Sequence, residues 1–251
     1  MGEQPELAII GGTGLTNLKG LEITRREVVS SPYGEPSGPL IHGLFAGHRV
    51  LFLARHGYGS SIPPHRVNYR ANLWAIHHCG VRRLIAVNAV GGIRPDLGPG
   101  RLVIPDQVID YTWSRGHTFF EDGLNHVVHV DFTEPYCADL RGVLVRAAAS
   151  AGIDAADGAT YGATQGPRLE TAAEIDRLER DGCHIVGMTG MPEAALAREL
   201  ELCYASCAVV ANAAAGRAPG AITMADIEVA LNRGMGDVRR LLEAAIPLLE
   251  D

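Results

Sequence analysis

Short apolar runs with little alternation recur along the chain, at residues 7–10, 50–54, 84–87, 102–105, 159–164, 184–188 and 204–211. Runs of this length and pattern read as strands buried on both faces. Between them the apolar period changes to that of a helix. Residues 68–78 carry Tyr69, Leu73, Trp74 and Ile76 on one side, with Asn68 as cap. Residues 139–151 place Leu140, Val143, Leu144 and Ala147 at helical spacing. Thr171 and Glu174 form a capping box for a helix ending near Gly182. Pro192 suits the first turn of a helix running to about residue 200, and Glu193 suits the positive end of its dipole. Residues 223–249 form a last helix, with Ile227, Leu231, Val238, Leu241 and Leu242 inward.

The order strand, helix, strand implies parallel crossovers. The pattern therefore predicts an α/β fold: a single domain over residues 1–251, with a central mixed, largely parallel sheet flanked by helices. Two stretches fit neither period. Residues 25–48 are rich in Pro and Gly and read as a loop or hairpin. Residues 106–130 hold Tyr111, Trp113, Phe119, Phe120 and several histidines, and read as a long functional loop or a subunit contact.

The residues just after each apolar run add chemistry. The first run enters Gly11-Gly12-Thr13-Gly14, a glycine turn whose N–H groups and hydroxyl suit an anion. It begins like a dinucleotide-binding fingerprint, but Asn17 stands where the third Gly belongs, so an NAD-binding oxidoreductase is the competing reading. The second run ends in Arg55-His56-Gly57 and the third in Asn88-Ala89-Val90-Gly91-Gly92. Polar or small residues also close the later runs, at 164–170, 187–190 and 212. In open α/β sheets ligands gather at such strand ends.

Composition narrows the partners. The net charge of −7 argues against a general nucleic-acid binder, although a local pocket can still hold a small anion. Residues 1–6 are acidic and lack the apolar core of a signal peptide, and no run approaches a membrane span, so a cytoplasmic location is expected. Five cysteines without a CxxC pair read as reduced thiols. His77, His78 and Cys79 are adjacent on a helix and point in different directions, so no metal site is expected.

The strand-end motifs taken together, GGTGL (11–15), ARHG (54–57), PPHRVNYRANLWA (63–75), NAVGG (88–92), QGPRLET (165–171) and GMTGMPEAALARE (187–199), resemble the trimeric purine nucleoside phosphorylase and methylthioadenosine phosphorylase family. They span nearly the whole chain in the family's order. The resemblance implies phosphorolysis of a purine nucleoside, with inorganic phosphate as co-substrate and no cofactor, in a homotrimer. It implies that Thr13, Arg55, His56, Asn88, Ala89 and Thr189 bind phosphate. Val186, Gly187 and Met188 would line the ribose, and Leu169 would stack on the base. His129 would be lent by the neighbouring subunit. Asn212, with His56, would be catalytic. Glu170 and Met224 would bear on specificity.

Family members that use 6-aminopurines carry Asp at the positions of Asn212 and Ala214. A neutral amide at 212 accepts from N7–H and donates to a 6-carbonyl, so a 6-oxopurine is expected. Gln165 would stand in for the Glu that receives N1–H, with less charge assistance. The stretch Ala221-Ile222-Thr223-Met224-Ala225 is apolar where nucleoside phosphorylases place a His for the 5′-hydroxyl. Met suits a pliable pocket for a thioether, although Ser60 replaces a His that relatives often carry in the loop after ARHG. The expected substrate is 5′-methylthioinosine. Methylthioadenosine and inosine or guanosine phosphorylases are the alternatives.

Overall fold

Strand β1 (Leu7–Gly11) is buried at every residue and shows how the sequence divides the core. Leu7 and Ile9 point into one apolar cluster, while Ala8 and Ile10 point into a second on the opposite face. A strand covered on both sides has no need of alternation, which is why this run is continuously apolar. The structure, a computed structural model, describes residues 5–249. The first residues of the acidic start, 1–4, lie outside the described residues.

An antiparallel hairpin follows, β2 (Glu22–Glu27) and β3 (Leu40–Phe45), and leads into β4 (His48–Ala54). Helix α1 (Tyr69–His78) starts where Asn68 accepts the Ala71 N–H, as its sequence predicts. Then come β5 (Arg83–Gly92), β6 (Leu102–Ile104) and β7 (Gln107–Asp110). Helix α2 (Ala138–Ser150), β8 (Ala155–Asp157), β9 (Thr160–Ala163) and α3 (Ala172–Arg180) complete the middle of the chain. The last elements are β10 (Ile185–Gly187), α4 (Gly190–Glu199), β11 (Cys203–Ala213) and α5 (Met224–Ala245).

The strands form one sheet in the order β2-β3-β4-β1-β5-β10-β9-β7, with β11 branching from β5 to reach β6 and β8. Six pairings are parallel and four antiparallel, in line with the expected mixed, largely parallel sheet. Helices α2 and α5 cover one face, and α1 and α4 the other. The branch at β5 matters most. Parallel β5 and β11 run side by side to Gly92 and Ala213, while β10 meets the end of β5 in the opposite sense. The C-terminal ends of β1, β4, β5 and β11 and the end of β10 thus open one mouth.

Two expectations are corrected. Residues 107–110 of the supposed long loop form β7, because Gln107–Asp110 pair with β9. The thiols are not all reduced: Cys137, at the N-cap of α2, is disulfide-bonded to Cys203 at the start of β11, leaving Cys79, Cys183 and Cys207 free. Packing of α2 beside β11 brings the two together across 66 residues, a closeness that spacing in sequence does not reveal. Among the described residues the one group with metal-like donors is Glu27, His42 and Cys79. There the Arg25 guanidinium lies 2.9 Å from Glu27 Oε2. No helix among the described residues is long and apolar enough to cross a membrane.

Candidate active site

The mouth at the strand ends is a cavity of about 430 Å³. The turn after β1 brings Gly12 and Thr13 to it, the end of β4 brings Arg55 and His56, and β5 brings Ala89. The loop after β9 adds Leu169 and Glu170. The end of β10 adds Val186, Gly187, Met188 and Thr189, and β11 adds Asn212 and Ala214. Met224, Ile222 and Ile227 close it from the start of α5, opposite in kind to the polar end at Thr13.

Arg55 is not a free cation at this mouth. It is 0% exposed and lies beneath the polar end. Its Nε and Nη2 donate to the two carboxylate oxygens of Glu193, at 2.7 and 2.8 Å, and Nη1 donates to the Val87 carbonyl at 2.9 Å. Glu193 is also 0% exposed and accepts a third bond from the Tyr204 hydroxyl. Burial works against the guanidinium charge, but Glu193 outweighs it and holds Arg55 above its ordinary pKa. Gly12 permits this burial: a Cβ there would meet the Val87 carbonyl oxygen at 2.6 Å and Arg55 Nη1 at 2.8 Å. Two guanidinium N–H groups, one on each Nη, have no partner among the described residues.

His56 donates from Nδ1 to the Ile62 carbonyl at 2.8 Å, and the Ile62 N–H returns a bond to the His56 carbonyl. A carbonyl can only accept, so Nδ1 carries a proton, and in the neutral ring Nε2 is then an acceptor. Burial, then the neighbouring Arg55, lowers its pKa below the ordinary value.

Asn88 does not line the cavity, which corrects its expected phosphate contact. It is fully buried behind the wall, where its amide donates to Thr189 Oγ1 and accepts from the Ser206 hydroxyl, both at 2.8 Å. Thr189 is 6% exposed. Its oxygen accepts from Asn88 and its hydroxyl also lies against the Tyr161 hydroxyl, so the chain Ser206–Asn88–Thr189 ends in a hydroxyl held at the cavity wall.

Gln165 is the second displaced residue. It lines a neighbouring cavity of about 340 Å³, and its Oε1 accepts from the Trp113 N–H and from Arg115 Nε. Glu170 lines both this cavity and the main one, its carboxylate steadied by a bond from the Thr164 hydroxyl at 2.5 Å. Asn212 follows a register shift in β11 between Val210 and Asn212, and one of its amide N–H groups donates to the Ala213 carbonyl. Such a bulge re-aims a side chain at a strand end. His129 is exposed on the loop before α2 and does not line this chain's cavity.

Sequence reasoning gave Glu193 only a role at the helix dipole and missed its pairing with Arg55. The available signal was a carboxylate between Pro192 and Ala194 in an otherwise apolar helix start, which needs a buried cation. It also missed Ser206 and Arg115, for which periodicity offers no signal.

A family model described as the Phosphorylase superfamily matches residues 6–247. The chain belongs to this superfamily. Its relatives in the superfamily include a probable S-methyl-5′-thioinosine phosphorylase of Pseudomonas syringae pv. tomato, 57% identical over 94% of this chain and 96% of that protein. A 6-oxopurine nucleoside phosphorylase of Pyrococcus furiosus is 46% identical over 98% of this chain and 93% of its own. Among solved structures, methylthioadenosine phosphorylase from Schistosoma mansoni in complex with adenine superposes with a TM-score of 0.94 at 31% identity, covering 98% of this chain and 92% of that one. A methylthioadenosine phosphorylase from an antarctic soil metagenomic library gives 0.91 at 37% identity, covering 98% and 87%.

Proposed function

We propose that this phosphorylase, a single domain, cleaves S-methyl-5′-thioinosine with inorganic phosphate to give hypoxanthine and 5-methylthioribose 1-phosphate. The observation that carries the reading is the pairing of Glu170 with Asn212 on one cavity. In a 6-oxopurine N1 bears a hydrogen, which a carboxylate accepts; in a 6-aminopurine N1 is a bare acceptor, which a carboxylate repels. Asn212 accepts from N7–H through Oδ1 and donates its second amide hydrogen to O6. Glu170 thereby takes the part expected of Gln165, and the charge assistance thought to be lost is restored.

The reaction breaks the bond from C1′ to N9, whose electron pair leaves with the purine, while a phosphate oxygen bonds to C1′. Positive charge develops on the ribosyl ring, as in glycoside hydrolysis. Phosphate beneath the sugar both stabilises and captures it. Thr13, the Ala89 backbone, Thr189 and the two remaining Arg55 N–H groups are the donors for phosphate, and His56 Nε2 accepts from its P–OH. No covalent nucleophile is needed; the site works by positioning and preorganised charge.

The 5′ reading rests on Ile222, Met224 and Ile227, which offer a thioether apolar contact and a hydroxyl no partner. A hydroxyl buried without a bond costs about 1–3 kcal/mol. Ser60 and Ser61 line the same cavity and make inosine the second reading. His129, with the exposed Leu124, Val127, Val128 and Val130 around it, is proposed to reach the site of a neighbouring copy in a homotrimer. Chromatographic separation of products tests the chemistry. Hypoxanthine released from methylthioinosine only when phosphate is present is the expected result; release without phosphate, or none at all, contradicts it.

A further inference from the structure

Arg115 does not line the main cavity; it is 9% exposed and sits behind the two arms that do. It lies in the segment between β7 and α2. Every guanidinium N–H is engaged. Nη1 donates to the carbonyls of Met188 and Met191, at 2.8 and 2.7 Å. Nη2 donates to the carbonyls of Thr164 and Gln165, at 3.3 and 2.8 Å. Nε donates to Gln165 Oε1 at 3.1 Å. Its Cζ lies 5.5 Å from the centre of the Tyr69 ring, on α1, and Nη1 also reaches the Tyr69 hydroxyl at 3.3 Å.

The four carbonyls belong to two separate stretches of chain. Residues 164 and 165 begin the loop that presents Leu169 and Glu170. Residues 188 and 191 bracket the turn that presents Met188 and Thr189. These backbone groups lie just past the last β9–β10 pair, Ala163 with Gly187, where the Thr164 N–H still donates to the Gly187 carbonyl at 2.8 Å and the pairing then stops. A planar five-donor fork is the one side chain that binds four carbonyls and an amide oxygen at once. Together with the Trp113 N–H, the bond to Gln165 Oε1 holds that side chain at the neighbouring cavity, while Glu170 lines both.

We infer that Arg115 is a positioning residue that fixes the distance between the base-binding and ribose-binding arms of the site. The inference rests on the phosphorylase reading of the cavity. The phosphate end is tied separately, through Asn88 to Thr189 and through Glu193 to Arg55. Loss of Arg115 should therefore loosen the grip on the nucleoside and leave the grip on phosphate intact. A misplacement of about 1 Å can cost on the order of 100-fold in rate.

The test is steady-state kinetics of full-length Arg115→Lys and Arg115→Met beside the unaltered protein, with both substrates varied. The unaltered protein must first release hypoxanthine from methylthioinosine with phosphate, and failure there overturns the reading of the cavity, not the role of Arg115. In both variants we expect nucleoside KM to rise about tenfold and kcat to fall about tenfold, with phosphate KM within about twofold. Lys keeps the charge but has three donors in place of five, so it should not rescue the nucleoside KM. Unchanged nucleoside KM in the Met variant overturns the inference. Full rescue by Lys overturns it too, since charge alone would then suffice. A Lys variant that fails to fold, seen by circular dichroism, assigns the residue to stability and equally overturns it.

Discussion

Glu193 decides what the proposed phosphate end can be. A guanidinium buried at 0% exposure is tolerable only because a carboxylate, itself 0% exposed, meets it with two bonds. Removing one partner of such a pair leaves an uncompensated buried charge. Glu193→Ala should cost about 3–5 kcal/mol in urea unfolding; a loss well under 1 kcal/mol would mean that Arg55 finds water instead. Thr189 tests the adjoining donor. Thr189→Val removes the hydroxyl that Asn88 holds at the cavity wall, and phosphate KM should rise roughly 10- to 100-fold, the worth of a bond to a charged group. An unchanged phosphate KM would return the 187–190 turn to a plain connection. His56 gives a pH prediction. Its folded pKa lies below the ordinary value of about 6.5, so between the two the unfolded chain binds more protons. The stability that neutral His56 supports is present above about pH 6.5 and is lost as pH falls through the folded pKa. In denaturation at pH 7.5 to 5, a His56→Asn variant should lose less stability than the unaltered chain; equal losses would contradict this.

At the scale of elements, strand ends do most of the positioning. Asn212 reaches the cavity because β11 shifts register beside it, and Asn212 with Glu170 is proposed to set the choice of base. Asn212→Asp should raise the ratio of 6-aminopurine to 6-oxopurine turnover, measured as relative kcat/KM, and no change would mean that the base is read elsewhere. Much at this scale was legible. The buried strands, the Asn68 cap and the Thr171–Glu174 capping box arise from local rules that local sequence obeys. Less was legible where an element's role depends on a distant partner. Strand β2 is exposed along most of its length and carries no apolar signature. Strand β7 is defined only by pairing with β9. Gln165 and Glu170 lie five positions apart in one motif, and only Glu170 reaches the main cavity, while Gln165 is held at its neighbour by Trp113 and Arg115, in a segment some 50 residues earlier.

For the whole molecule, the site is a convergence of six separate strand ends, and order along the chain was enough to recognise it because each end kept its own polar signature. The pairing of Cys137 with Cys203, the ion pair across 138 residues between Arg55 and Glu193, and the Ser206–Asn88–Thr189 chain needed the fold itself. Assembly belongs to this scale as well. If His129 serves a neighbour, light scattering should return the mass of three chains, and His129→Ala should weaken nucleoside binding without altering that mass. The central claim is a choice of substrate, and competition between substrates reads it most directly. With saturating phosphate, kcat/KM should be highest for methylthioinosine, lower for inosine and lowest for methylthioadenosine. A higher kcat/KM for methylthioadenosine than for methylthioinosine would contradict the roles given to Glu170 and Asn212.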